Sequence, residues 1–222
     1  LLAFDTSNQV LSLAVLEDEH LLAQTTLNIK KNHSITLMPA IDFLMNSLDM
    51  KPKDLDRIAV AQGPGSYTGL RIAVATAKTL AHTLKIELVG VSSLLALVPE
   101  QVEGLVIPVM DARRNNVYAG FYQSGQAVRP EAHLPLAEVL EIAGAANQSV
   151  TFVGETTAFT EQIEAALPQA AIQSTLPNAV AVGRLGLDLP AQSIHDFVPN
   201  YLKRVEAEEN WLKTHQESSD SY

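Results

Sequence analysis

The sequence predicts an α/β fold in which a mixed sheet is covered by helices. Three observations predict it. Over residues 1–92 the apolar segments run strand, strand, strand, helix, strand, helix, strand, an order that an all-parallel doubly wound sheet does not have. The first strand ends in Asp5-Thr6-Ser7, and a later strand ends in Asp111-Ala112-Arg113, so the pattern restarts in the second half. Hydrophobic residues make up 47% of the 222 positions against 18% charged, enough for one large domain or two small ones sharing a core.

The elements follow in order. Leu1 to Phe4 is an apolar strand, and Val10 to Leu16 and His20 to Leu27 continue it as an antiparallel meander around the acidic turn Glu17-Asp18-Glu19. Apolar residues at helical spacing then predict a helix from about Ser34 to Ser47, with Pro39 in its first turns. Arg57 to Ala61 reads as a strand, Thr68 to Leu84 as a long helix and Glu87 to Val91 as a strand. In the second half, strands are expected at Leu105 to Met110, Asn116 to Tyr122 and Val150 to Val153. Helices are expected near Leu136 to Ala143, Phe159 to Leu167 and Asn178 to Leu187. Beyond Lys203 the chain is charged and polar, and fraying is expected past Leu212.

Composition narrows the function. Cysteine is absent, which removes disulfides and thiolate metal sites and suits a cytoplasmic setting. A formal net charge of −10 repels phosphate backbones, so unaided nucleic-acid binding is disfavoured and a role near RNA needs a more basic partner. No apolar run reaches the roughly 20 residues of a membrane span, and no charged-then-apolar signal segment opens the sequence.

Few motifs carry chemistry. The six histidines have no pair at the three- or four-residue spacing that puts two imidazoles on one helix face, so no metal site is expected. Gly63-Pro64-Gly65-Ser66-Tyr67-Thr68-Gly69-Leu70-Arg71 joins a strand to a helix. Such a loop can approach an anion, but the lysine and hydroxyl of a P-loop are missing. It reads more readily as a tight turn with Ser66 or Thr68 as helix cap. Asp5-Thr6-Ser7 and Asp111-Ala112-Arg113 could straddle the phosphates and metal of a nucleotide. Neither has the glycine that lets amides close around phosphate, and each aspartate can instead cap its own turn. No nucleophile-elbow pattern surrounds any serine.

Two helices carry a stronger signal. From Thr68 to Leu84 the only full charges are Arg71 and Lys78, on one stripe with His82, and the rest is apolar or small, including Val74 and Ala75. A helix with one face in water shows a broad charged side. This one is expected to be covered on more than one side. In the preceding helix Leu37, Ile41, Leu44 and Leu48 form a core stripe flanked by Met38 and Met45. Phe43 lies opposite, beside Thr36, Ala40 and Ser47. That second face suits another subunit, although the chain's own second half could also cover it.

Taken together, several segments resemble the TsaB (YeaZ-type) family: Asp5-Thr6-Ser7, His33 with Leu37 and Pro39, the Gly63–Ile72 motif, Ala77-Lys78-Thr79-Leu80-Ala81, Gly90-Val91-Ser92-Ser93-Leu94, Asp111-Ala112-Arg113 and Asn116-Val117-Tyr118. The similarity is strong over residues 1–125 and looser on to Pro199-Asn200-Tyr201-Leu202. The resemblance implies the actin/Hsp70/sugar-kinase fold with two related lobes: residues 1–100, completed by a C-terminal helix near 178–205, then a smaller lobe at 101–177 and a flexible tail at 206–222. It also implies a non-catalytic role beside TsaD, the paralogue that forms N6-threonylcarbamoyladenosine next to the anticodon of tRNA, with the ATPase TsaE joining the assembly.

Family likeness further implies pairing with TsaD, or with a second copy, through Thr36, Met38, Ala40, Phe43, Met45, Ser47, Arg71, Val74, Ala75 and Lys78. tRNA is met only through the complex. Nucleotide is not bound strongly by the chain alone, with ATP or ADP placed at the complex interface near the Gly63–Gly69 loop. The catalytic paralogues carry a metal-binding His-x-x-x-His after a Gly-Val strand end; here those ligand positions are Ser93 and Leu97, and leucine cannot coordinate a metal. A small ATP-dependent kinase or ATPase of the same fold, and a peptidase, are the alternatives.

Overall fold

A computed structural model describes residues 1–28 and 32–203. The expected tail at 206–222 lies outside the described residues. Two five-stranded sheets are present, in the orders β3-β2-β1-β4-β5 and β10-β9-β6-β7-β8, where β1 is Leu2–Asp5, β2 Leu11–Glu17, β3 His20–Leu27, β4 Arg57–Gly63, β5 Glu87–Ser92, β6 Leu105–Asp111, β7 Asn116–Gln123, β8 Gln126–Pro135, β9 Val150–Gly154 and β10 Ala171–Ser174.

The two sheets share one plan. In each, the first three strands form an antiparallel meander, the fourth pairs parallel with the first, and the fifth pairs parallel with the fourth in the first sheet and likewise in the second. β8 and β10 complete the duplication, and neither is expected from the sequence. β8 reads QAVRPEAHLP, in which a proline and charged residues hide the alternation. β10 is four residues long and mostly exposed, too short to show a period.

Alternation across the first sheet sorts its core. Leu2, Phe4, Leu11, Leu13, Val15, Ile58, Val60 and Leu88 point to one face, under α1 (His33–Ser47) and α2 (Tyr67–Leu84). Ala3, Ala14, Ala59 and Ala61 point to the other, under α5 (Ala179–Asp188). The small residues let α5 sit close: a Cβ on Gly186 would lie 2.6 Å from that of Ala59. The second sheet packs under α3 (Leu136–Gly144) and α4 (Thr160–Ala166).

From 190 to 203 the chain returns to the first lobe. Gln192 donates its amide to Leu88, Asn200 donates to Gln62, and Phe197 is buried beside α2. Lys78 Nζ donates to the carbonyls of His195 and Phe197 at 3.0 and 2.9 Å. One flank of α2 is therefore closed by the chain's own C-terminal stretch, which explains part of its low charge.

Ser92, at the end of β5, donates to Glu131 of β8, and Tyr122 of β7 donates to the same carboxylate oxygen. Ser92 Oγ also accepts the amides of Leu94 and Leu95, so one side-chain cluster ties the two sheets. Burial and the Glu131 carboxylate both push the Tyr122 phenol well above its ordinary range, so it stays a donor. Glu131→Leu leaves both hydroxyls without that acceptor; a loss of about 1–3 kcal/mol is expected in urea unfolding.

Candidate functional site

The Asp5-Thr6-Ser7 turn and the Gly63–Gly69 loop are built against each other. Ser66 caps α2, its hydroxyl accepting from Gly69 N, and its own amide donates to Ser7 O at 2.6 Å. Thr6 Oγ1 donates to Gly69 O at 2.8 Å. A Cβ on Gly69 would run into the Thr6 carbonyl, so the glycine is required for this approach. The loop is thus a close-packed strand-to-helix turn with Ser66, not Thr68, as the cap.

Both aspartates cap their own turns. Asp5 Oδ1 accepts from Ser7 N, and Asp111 Oδ1 accepts from Arg113 N, each at 2.7 Å. Between the turns lies Glu155, just past β9, whose Oε2 accepts from Asp111 N at 2.7 Å. The Asn8 side chain lies near the same carboxylate and favours its charged form. The amides of Ser7, Asp111 and Arg113 therefore already meet carboxylates of this chain, a donor set that does not fit the phosphates of a nucleotide.

Burial is the main force raising the pKa of Asp5, offset by its bonds to Ser7 and by His33. The folded state holds this proton more tightly than the unfolded chain does, so the associated stability is present at low pH and lost as pH rises through the raised value. Asparagine can still accept from Ser7. Asp5→Asn should therefore gain stability relative to the wild type as pH moves from about 3 to about 7, read as urea midpoints at both ends.

Beside these turns opens a cleft of about 420 Å³, lined by Gly65, Tyr67, Arg113, Arg114, Tyr118, Tyr201 and Lys203 among others. Tyr67 stacks on Tyr201 with ring centroids 5.2 Å apart, and Arg71 donates to Tyr67 OH at 2.6 Å. Arg113, Arg114 and Asn115 all have positive φ, at 66°, 54° and 56°, so the basic turn is held in a strained left-handed conformation.

The helical face resolves into two groups. Met38, Phe43, Ser47, Arg71 and Ala75 are exposed, and Thr36 is half-buried. Phe43 is 66% exposed, and Ile35, one helical turn before Met38 and not expected from the sequence, is 67% exposed. Ala40, Met45 and Val74 do not belong to this face. They are buried in the first lobe's own core, because the turns carrying Leu37, Ile41 and Leu44 on α1 and Ala73 and Ala77 on α2 also turn these three inward. Lys78 is half-buried and occupied by the C-terminal stretch.

Ser93 and Leu97 are both buried, and Leu97 packs with Leu94, Val106, Met110 and Val153. Among the described residues, no cluster of three or more His, Cys, Asp or Glu side chains is placed to hold a metal ion, and no helix is long and apolar enough to cross a membrane.

Residues 20–211 match the family model of TsaD, tRNA N6-adenosine threonylcarbamoyltransferase. The tRNA threonylcarbamoyladenosine biosynthesis protein TsaB of Bacillus subtilis is 40% identical, over 96% of this chain and 98% of its own length. The chain belongs to the TsaB (YeaZ-type) family. YeaZ from Pseudomonas aeruginosa superposes with a TM-score of 0.76 at 28% identity, covering 90% of this chain and 98% of that one. A second solved structure, an uncharacterized protein described as similar to peptidase YEAZ from Pseudomonas aeruginosa, gives 0.78 at 29% identity over 91% and 98%. The fold is that of the actin/Hsp70/sugar-kinase class, as the family likeness implies.

Glu155, Asn8, Ile35 and Glu131 escape a reading of the sequence. Glu155 alone leaves a signal there: an acidic residue directly after an apolar strand, as Asp5 and Asp111 are.

Proposed function

We propose that this chain is a non-catalytic partner subunit of a TsaD-containing complex that forms N6-threonylcarbamoyladenosine beside the anticodon of tRNA. The observation that carries this reading is the exposed apolar face of α1, where Ile35, Met38 and Phe43 stand out from the core, with Ala75 exposed on the neighbouring α2. Isolated apolar residues are ordinary on a surface, but several on neighbouring turns form a patch that binds. A second copy of the chain competes for the same face, TsaE joins the assembled pair in the cytoplasm, and tRNA meets the chain only within the complex.

The non-catalytic role is supported by the donor chemistry at residues 93 and 97, where a hydroxyl and a leucine stand in place of two imidazoles. A peptidase would need a metal pair or an activated nucleophile, and no observation favours either. The test is reconstitution. A purified system of the catalytic relative, the ATPase, tRNA and substrates should lose modification when this chain is omitted and regain it on addition; full activity without the chain contradicts the proposal.

A further inference from the structure

We infer that Glu155 occupies, as an internal surrogate, the place between the two Asp-led turns that the phosphate of a nucleotide would otherwise take. The two turns belong to different sheets, one after β1 and one after β6, so a group bound to both joins the lobes. Glu155 accepts the amide of Asp111 on one side, and on the other it is close enough to the first turn for Asn8 and Asp5 to feel its charge. Its backbone is fixed by a bond from its own amide to Val109 O at 2.9 Å, which holds the end of β9 against β6. Asn8 is itself aligned, its Oδ1 accepting from Val10 N at 2.8 Å and its carbonyl bonded to His33 Nε2, also at 2.8 Å.

Charge points the same way. The amides of Ser7, Asp111 and Arg113 each end on a carboxylate oxygen, from Asp5, Glu155 and Asp111 in turn. A phosphate entering between the turns would have to displace a bonded carboxylate and then sit among its neighbours, where like charges repel, most strongly beside the buried Asp5. Burial already pushes the pKa values of both Asp5 and Glu155 upward, and the neighbouring charges add to it, Glu155 at Asp5 and Asp111 at Glu155. A fold able to clasp a nucleotide is in this way closed on one of its own side chains, and the interlobe cleft is held without a ligand.

The experiment is amide hydrogen exchange and chemical-shift mapping on the full chain, with ADP as the probe. In the wild type, millimolar ADP should leave the amides of Asn8 and Asp111 unshifted. Glu155→Ala should speed exchange at the Asp111 amide by about tenfold or more, because the amide loses its acceptor. Glu155→Asp, one methylene shorter, keeps the charge but withdraws the oxygen, and should show the same acceleration if the alanine variant does not fold. ADP-dependent shifts at Asn8 and Asp111 in the wild type, or wild-type exchange at Asp111 in a folded variant, would overturn the inference.

Discussion

Phe43→Asp should abolish pairing while leaving the chain folded. Phe43 is 66% exposed and takes no part in the first lobe's core, so its replacement should change unfolding stability by no more than about 0.5 kcal/mol. At a docked interface the same carboxylate would be stripped of water with no partner, since α1 offers no basic residue in its last turn. Leaving a charge buried and unpaired costs about 3–5 kcal/mol, which weakens association by more than about a hundredfold. Sedimentation with the catalytic relative, beside a urea melt of the variant alone, checks both halves. Loss of folding would place Phe43 in the chain's own core. Unchanged affinity would place the interface elsewhere.

Gly69→Ala is expected to be the most damaging single methyl in the chain's first lobe. Helix propensity favours alanine over glycine by about 1 kcal/mol, so an exposed site in α2 would gain stability. Here the new Cβ meets the Thr6 carbonyl, a backbone atom that cannot rotate away, and Thr6 Oγ1 is bonded to Gly69 O across the same contact. Overpacking of this kind costs about 3 kcal/mol or more and outweighs the propensity gain. For a chain of this size that corresponds to a fall in Tm of about 6–12 °C by calorimetry. A stable Gly69→Ala variant would mean that the turn and the loop can separate freely.

Much of the fold was legible because the buried strands and helices announce themselves by period. β1, β2, β4, β5, β6, β7 and β9 are short apolar runs between polar turns, and α1 and α2 carry clear core stripes. β8 and β10 are exposed, irregular edge strands and carry no strong pattern, whereas β5, also at an edge, is buried and does. Their absence from the sequence reading hid how fully the second sheet repeats the first.

The candidate site was legible only in part. Phe43 and Ala75 stand on the outside because helical spacing sets them opposite the core stripe. Ala40, Met45 and Val74 lie close to the boundary between faces, where one residue's turn of 100° does not say which neighbour will cover it. Nor can spacing show that residues 190–203 return to close the flank of α2, a contact more than a hundred positions away along the chain. The link from Glu155 to Asn8 and Asp111 is of the same kind, tertiary rather than local.

Hydrogen-exchange footprinting of this chain against the purified catalytic relative tests the account most directly. Slowed exchange confined to Ile35 through Ser47 and to the exposed side of α2 around Arg71 and Ala75 is the predicted outcome. Protection centred on α5 or the second sheet, with α1 unchanged on saturation, would contradict it.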